Sequence, residues 1–465
     1  MPTPPADDPL VAESVWAPQH RALAIGLLLT VTMIAFEALG ITTAMPAAAA
    51  DLDGLALYGW VFTAAFLSSL IGIAFAGRRA DRTGPAGPYA LGITLFAAGL
   101  VIAGSASEMI VVVAGRVVQG LGIGVLPAVV YTSIGRAFTD RARARMFALL
   151  SSAWVVPGLV GPAIAGWIAE NVGWRWVFFG VLPLVPLNAF LTLPALRRLG
   201  PPASDAGRGP RRGIGAASLA LTAGAGVLLA ALSWRTPLAL VPVLGGAIVV
   251  VLTMRRLTPP GTLHAARGLP AAVATRGLQT CAFFTANSFL PLAVTDVRGR
   301  SSVTAGLLLT SATLAWTAGA WIQDRKGHGF GRGRLVAVGL ATLASGLSGL
   351  LLVLVPPVPL IVPAFFWTVA GLGMGMSYAG ISLVVLATAP PGAEGEATSS
   401  MQLTDVLGNA LGTGIAGAAI AAGVSLGWPT SRGLLVAFGL AVASATTGAF
   451  TSRRLPMLGA AEPVR

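Results

Sequence analysis

Apolar stretches long enough to cross a bilayer recur fourteen times along this chain of 465 residues, separated by short polar segments. About 20 apolar residues make a crossing helix. The runs lie near 22–46, 57–77, 87–106, 109–131, 146–169, 174–196, 213–233, 237–254, 269–295, 302–323, 333–355, 358–388, 398–424 and 431–451. The seventh and eighth are short and are joined only by Trp234, Arg235, Thr236 and Pro237. The expected fold class is an all-α integral membrane protein with fourteen transmembrane helices.

The polar segments between the runs differ in charge. Alternate segments hold 23 of the 30 basic residues, in clusters such as Arg78, Arg79 and Arg82, or Arg136, Arg141, Arg143 and Arg145. The intervening loops hold five: Arg175, Arg235, Arg298, Arg300 and Arg432. Arg116 and Arg276 fall within helices. Basic loops remain on the cytoplasmic side, so both termini are expected inside, which requires an even number of helices. The same asymmetry accounts for the net charge of +13 without any nucleic-acid partner.

Composition excludes a soluble protein. Hydrophobic residues make up 55% of the chain and charged residues 10%, against about 25% charged in soluble domains. Mean hydropathy is +0.80. Such a chain cannot cover a water-facing surface, so the lipid bilayer is its expected partner, and disorder is excluded on the same ground. The 59 glycines are nearly twice the usual share of ~7% and suit membrane helices that approach backbone to backbone. The one cysteine, Cys281, can form neither an intrachain disulfide nor a cysteine metal cluster. The first 20 residues carry Asp7, Asp8 and Glu13 and no basic n-region, so the first run is expected to remain as a helix. Lys326 is the single lysine. The excess of Arg, Ala and Gly points to a GC-rich bacterial source, and hence to a multi-pass protein of the bacterial cytoplasmic (inner) membrane.

The chain resembles itself at one long offset. Pro46, Asp51 and Gly54 near the end of the first run match Pro291, Asp296 and Gly299 near the end of the ninth. Asp81-Arg82 after the second matches Asp324-Arg325 after the tenth, GLGIG at Gly120–Gly124 matches GLGMG at Gly371–Gly375, and Gly161 matches Gly412. A six-helix unit therefore occurs twice. The organisation expected is a cytoplasmic tail 1–20, a first half 21–198, a cytoplasmic linker 199–212, an inserted helix pair 213–254, a cytoplasmic loop 255–268, a second half 269–452 and a cytoplasmic tail 453–465. An even number of helices per unit gives both halves the same orientation, the arrangement of two transporter halves related by an axis along the membrane normal.

Ionisable groups inside a membrane are costly and are functional candidates by default. Glu37 lies ~15 residues into the first run and Arg116 ~7 residues into the fourth. At ~1.5 Å per residue both fall in the outer half of the membrane at similar depth. Burial raises a carboxyl pKa and a neighbouring arginine lowers it, so a carboxylate between those influences can load and release a proton; the plainer alternative is a structural ion pair. Asp405 and Arg276 lie ~10 Å deep in the thirteenth and ninth runs, where a second pair is an option and a snorkelling Arg276 the alternative. Phe36, Trp154, Gln279, Asn287, Trp367 and Tyr378 are candidates to line a cavity between the halves, against the simpler reading of core or lipid-facing side chains.

Other classes fail on specific grounds. No GK[ST] occurs, which removes a P-loop pump. Gly346-Leu347-Ser348-Gly349 has the look of a serine hydrolase motif, but a general base is needed and the histidines, His20, His264 and His328, all precede Ser348. Histidine and cysteine are too few for a metal hydrolase. No enzyme activity, cofactor or metal is expected.

Several motifs together carry a family resemblance. GRRADRTG after the second run places Gly77, Asp81, Arg82 and Gly84 on the pattern G-x-L-A-D-R-x-G-R-R/K, without the basic residues after Gly84. RVVQGLGIG places Arg116, Gln119 and Gly120 on R-x-x-Q-G. GPAIAG places Gly161, Pro162 and Gly166, with Gly158 just before, on the antiporter motif G-P-x-x-G-G, with Ala165 in place of one glycine. FEALGITTAMP puts Glu37 nine residues before Pro46, as in L-D-x-T-x-V-N-x-x-x-P. GWRWVFF at Gly173–Phe179 is of the same kind. The chain resembles the major facilitator superfamily over nearly all its length, and its two-helix insert resembles the 14-span drug:proton antiporter branch.

The resemblance implies two six-helix bundles that rock about a central cavity. The loop at Gly77–Gly84, with glycines permitting tight turns, would dock between the halves, its Asp81 facing the start of the thirteenth helix, where Thr398, Ser399 and Ser400 are N-cap candidates. The Gly161-Pro162 helix would seal the antiporter. Glu37, Arg116 and Asp405 would carry proton coupling. The function expected is proton-coupled export of small lipophilic or amphipathic molecules, drugs or natural products, by a monomer whose partners are lipid, protons and the substrate. The alternatives are a dedicated exporter of one metabolite or lipid, and a uniporter or importer of a small nutrient.

Overall fold

The computed structural model describes residues 15–200, 214–234, 236–390 and 393–456. Most of the linker 199–212, the basic residues Arg208, Arg211, Arg212, Arg235 and Arg465, and the side chains of Arg78, Asp81, Arg82 and Arg141 lie outside the described residues. The helices are α1 (Pro18–Asp51), α2 (Tyr58–Thr83), α3 (Ala86–Gly104), α4 (Met109–Ala137), α5 (Asp140–Ser152), α6 (Val155–Ile168), α7 (Arg175–Phe179), α8 (Leu184–Leu199), α9 (Ile214–Ala231), α10 (Leu240–Leu257), α11 (Leu269–Leu292), α12 (Ser302–Phe330), α13 (Arg332–Leu350), α14 (Ile361–Thr388), α15 (Glu394–Ser425) and α16 (Thr430–Ser452). Short 3-10 or π turns link several of them.

Among the described residues, twelve helical segments are long and apolar enough to cross a membrane. Two more helices stand at the seventh and ninth apolar runs. α9 is apolar but short, with Gly215–Ala231 as its apolar stretch. α11 has the length, at 24 residues, but buries Thr275, Arg276, Gln279, Thr280, Thr285 and Ser288. That polar row faces protein, which is where a membrane helix can keep it.

Two kinds of boundary depart from expectation. The fifth and sixth runs are each broken. Pro157 has no N–H to give the carbonyl of Ala153, so the chain turns at Ala153-Trp154 between α5 and α6. Pro183 does the same between α7 and α8. Other helices run further than their apolar runs. α2 continues to Thr83, so Gly77–Arg82 is helical rather than a loop, and the turn is confined to Gly84 at φ 83°. α12 continues to Phe330, and its turn falls on Gly331, also at φ 83°. A positive φ is open to glycine without steric cost. α15 begins at Glu394 with Ala393 as an uncapped N-cap. Thr398 and Ser399 therefore lie inside the helix, donating to Glu394 and Gly395 carbonyls at 2.8 and 2.7 Å, and Ser400 donates to the Leu257 carbonyl of α10 at 3.0 Å.

Packing follows the internal repeat. α4 packs on α2 and α3, and α14 packs on α12 and α13. The two GLGxG runs show why. Gly120 and Gly124 face the backbone of α2 while Gly122 faces α3; Gly371 and Gly375 face α12 while Gly373 faces α13. Residues four apart share a helix face, so alternate glycines let one helix approach two neighbours. α1 likewise contacts α6 and α8, and α11 contacts α15 and α16.

The two sets of helices meet along α2 with α15 and along α6 with α12. Described cross-contacts gather at the end where α1 and α11 finish. The Tyr58 hydroxyl donates to the Ser288 carbonyl at 3.0 Å. Thr63 and Thr413 share a hydrogen bond of 3.0 Å, and Gly59 lies against Gly417. Backbone N–H of Val303 donates to Glu170 at 3.2 Å. α9 lies across the α2–α15 seam, with Leu221, Ala225 and Leu229 packed among Leu67, Leu70, Leu407 and Ala410.

Candidate functional site

Among the described residues, a charged cluster lies in the interior of the first helix set. Glu37, 1% exposed, stands on α1 opposite Arg116 of α4. Nη1 of Arg116 donates to Oε1 of Glu37 in a close ion pair. The same nitrogen donates to Oε1 of Gln119 at 2.5 Å, and Nε donates to the Val61 carbonyl of α2 at 3.1 Å. Gln119 follows Arg116 by one helical turn, so the two side chains share a face. Oε2 of Glu37 and Nε2 of Gln119 are buried without hydrogen-bond partners. The guanidinium is thus committed on two edges, and the carboxylate on one oxygen only.

The second helix set holds a different cluster. Arg276 of α11 is 1% exposed, so its side chain does not snorkel. Its Nη2 donates to the Tyr378 carbonyl at 2.7 Å and to the Ser382 hydroxyl at 2.5 Å, and its guanidinium carbon lies 3.7 Å from the centre of the Tyr378 ring. Nη1 donates to Gln279 at 3.3 Å, and Gln279 in turn donates to Ser377 at 2.6 Å. Asp405 of α15 is not bonded to Arg276. The Tyr378 hydroxyl stands between them and donates to Oδ2 of Asp405 at 2.8 Å. Nε of Arg276 has no partner. Against Tyr378 lies a run of rings: Trp316 at 5.3 Å, then Phe283 at 5.3 Å from Trp316, then Trp367 stacked on Phe283 at 5.0 Å.

The remaining candidates are scattered. Trp367 and Gln279 are wholly buried. Tyr378, Phe36 and Asn287 are half-buried, and Trp154 is exposed at the α5–α6 turn. In the antiporter motif, Gly158 faces Thr313 and Gly166 faces the Ser302 carbonyl, both on or beside α12, while Gly161 faces the Phe36 ring. Pro162 presents its carbonyl to Gly306 of α12. This helix therefore packs across the two sets. Of the GRRADRTG motif, Gly84 makes the α2–α3 turn, and the side chains of Asp81 and Arg82 lie outside the described residues.

Residues 25–413 match the Major Facilitator Superfamily. The chain belongs to that superfamily. It is a multi-pass membrane transporter, and not an enzyme. Among its relatives is the multidrug transporter protein MdtP of Bacillus subtilis, 26% identical over 408 residues that span 86% of this chain and 75% of that protein. Another is the probable multidrug-efflux transporter Rv1634 of Mycobacterium tuberculosis, 26% identical over 433 residues, 89% of this chain and 91% of that one. The POT family transporter PepTSo superposes with a TM-score of 0.68 at 14% identity, covering 93% of this chain and 97% of that chain. A D-xylose-proton symporter superposes at 0.62 and 15% identity, over 93% and 98%. These structural likenesses establish the shared fold of the transporter.

Sequence reasoning missed part of both clusters. The Val61 carbonyl, Ser377, Ser382 and Met401, whose sulfur lies 3.6 Å from Nη2 of Arg276, carry no charge or motif to mark them. One signal was available: R-x-x-Q occurs twice, at Arg116–Gln119 and Arg276–Gln279. It falls on α4 in one set and on α11 in the other, outside the repeat register. The Asp51 carboxylate was also missed as a partner. It accepts from Trp174 at 3.0 Å and Arg175 at 2.9 Å, which ties the GWRWVFF segment to the end of α1.

Proposed function

We propose that the transporter is a proton-coupled exporter of small lipophilic or amphipathic molecules. The observation that carries this reading is Glu37, a carboxylate inside a membrane helix with one oxygen on Arg116 and the other buried without a partner. A buried charge is retained in a membrane where it works, and an unsatisfied oxygen is a ready site for a proton. Glu37 takes a proton from outside after substrate leaves and releases it inward. One net charge moved across 100 mV supplies ~2.3 kcal/mol, enough for roughly 50-fold accumulation. The names of the multidrug relatives support the direction and the class of substrate.

The accompanying architecture is fourteen spans, counting α9 and α11, with both termini in the cytoplasm of a bacterial inner membrane. The concentration of arginine at one end supports that orientation. In it, the contacts of Tyr58, Thr63 and Gly166 close the outer side. Two halves, 21–198 and 269–452, then alternate access as a monomer, with the α6–α12 packing as the outer seal and the Asp81 segment as the inner gate. Asp405, held by Tyr378, is the second candidate for coupling.

The test is drug efflux in energised inverted vesicles, with a dye reporting ΔpH. Drug-dependent collapse of ΔpH by wild type, lost in a membrane-inserted Glu37→Gln variant, is the expected result. A Glu37→Gln variant that behaves as wild type makes the Glu37–Arg116 pair structural. Absence of any response by wild type to a broad drug panel favours a dedicated exporter of one metabolite.

A further inference from the structure

A groove of about 610 Å³ lies on the side of the molecule between the inserted pair and the second helix set. α10 and the segment after it form one wall, α16 the other, and α11 with α15 the floor. Gly277 and Gly408 bring the two floor helices backbone to backbone, and Leu278, Leu407 and Leu411 line the floor beside them. Met254 and Phe450 contribute to the apolar walls, and among the described residues no acidic one lines the groove.

One end is basic. Nη1 of Arg454 donates to the His264 and Ala265 carbonyls at 2.6 and 3.0 Å, which holds the guanidinium at the mouth. Arg255 and Arg256 stand in the last turn of α10, the helix that forms one wall. The Arg454 carbonyl accepts from Gly268 N–H at 3.2 Å, fixing the mouth at the start of α11. From there the floor reaches Cys281, thirteen residues on, or about 20 Å at ~1.5 Å per residue. Half of a ~30 Å hydrocarbon core, plus the adjoining headgroup layer, is of that length. The groove therefore runs from the headgroup region to the bilayer midplane, along one leaflet.

We infer that this groove binds one anionic phospholipid, its phosphate at Arg454 and one acyl chain along Gly277, Cys281 and Gly408. Charge, length and apolar lining each match that occupant, and basic pockets between membrane helices recognise anionic headgroups. The bound chain fills the space between the insert and the floor helices, bracing α10 against them. The back of that floor carries Thr280, which donates to the Asp405 carbonyl at 3.0 Å, so the lipid lies one helix away from the Arg276–Tyr378–Asp405 cluster. The inference rests on membrane embedding alone and is independent of proton coupling.

Cys281 is the chain's only cysteine and lines the groove, so it reports occupancy directly. The experiment is the rate of N-ethylmaleimide alkylation of the full-length protein in detergent, followed by mass. Phosphatidylglycerol is expected to slow alkylation, while phosphatidylcholine with the same chains and inorganic phosphate are not. Arg454→Ala should need about fivefold more phosphatidylglycerol for equal protection, and Arg454→Lys should restore the preference. Equal protection by both lipids overturns headgroup recognition, and protection by phosphate alone makes the mouth an ion site. Protection by tetraphenylphosphonium in place of lipid makes the groove a substrate entrance. No protection by any of them removes the lipid site.

Discussion

The two helix sets share a scaffold and differ in how they hold a buried charge. In the first, Arg116 grips Glu37 directly and is anchored by Gln119 and the Val61 carbonyl. In the second, Arg276 is held by a carbonyl, a hydroxyl, an amide and an aromatic face, and Asp405 is reached only through Tyr378. Glycine spacing and helix contacts follow the repeat, whereas the charges do not. Helix packing needs only small residues in register, so it survives duplication. A buried charge needs a particular partner at a particular depth, and each half has its own.

The difference predicts unequal costs. Arg116→Met leaves Glu37 buried without its counter-ion, which costs about 3–5 kcal/mol. It should show the largest fall in thermal unfolding temperature of the purified protein, and adding Glu37→Gln should recover much of the loss. Arg276→Met should cost less, roughly 1–2 kcal/mol, because the lost hydrogen bonds are offset by removing the arginine's own desolvation penalty. A loss as large as that of Arg116→Met would mean that Asp405 depends on Arg276 as directly as Glu37 does on Arg116. Tyr378→Phe removes one interhelical hydrogen bond while keeping the ring over Arg276, and such bonds are worth about 0.6 kcal/mol, up to ~1.7. Its effect on stability should be the smallest. Tested in the ΔpH assay, unchanged transport by Tyr378→Phe would show that coupling does not need the Tyr378–Asp405 hydrogen bond.

Much of the candidate site was legible because depth can be counted along a helix. Fifteen residues into one run and seven into an opposed one put Glu37 and Arg116 at one level, and the structure pairs them. The same counting placed Arg276 and Asp405 at one level, but it could not show that Tyr378 would stand between them. Depth is one coordinate, and rotation about each helix axis supplies the others. Trp367 and Gln279, offered as cavity residues by type, are wholly buried for this reason. The GRRADRTG segment misled in another way: its glycines suggested a loop, yet α2 continues through it, since a glycine costs a helix only ~1 kcal/mol.

Apolar runs and their lengths were enough by themselves to point to a membrane-embedded helical protein, and the internal offset to two like halves, because a bilayer imposes length and hydropathy on each helix separately; the motifs added the family. Helix-terminal prolines and glycines moved the boundaries only slightly. Tertiary structure alone decided which polar atoms meet. It joined Glu37 to Arg116, interposed Tyr378 before Asp405, laid α9 over the α2–α15 seam and opened the groove beside Arg454. Each of these depends on the rotation and crossing of helices far apart in the chain, and those are set by packing many side chains at once rather than by any local pattern.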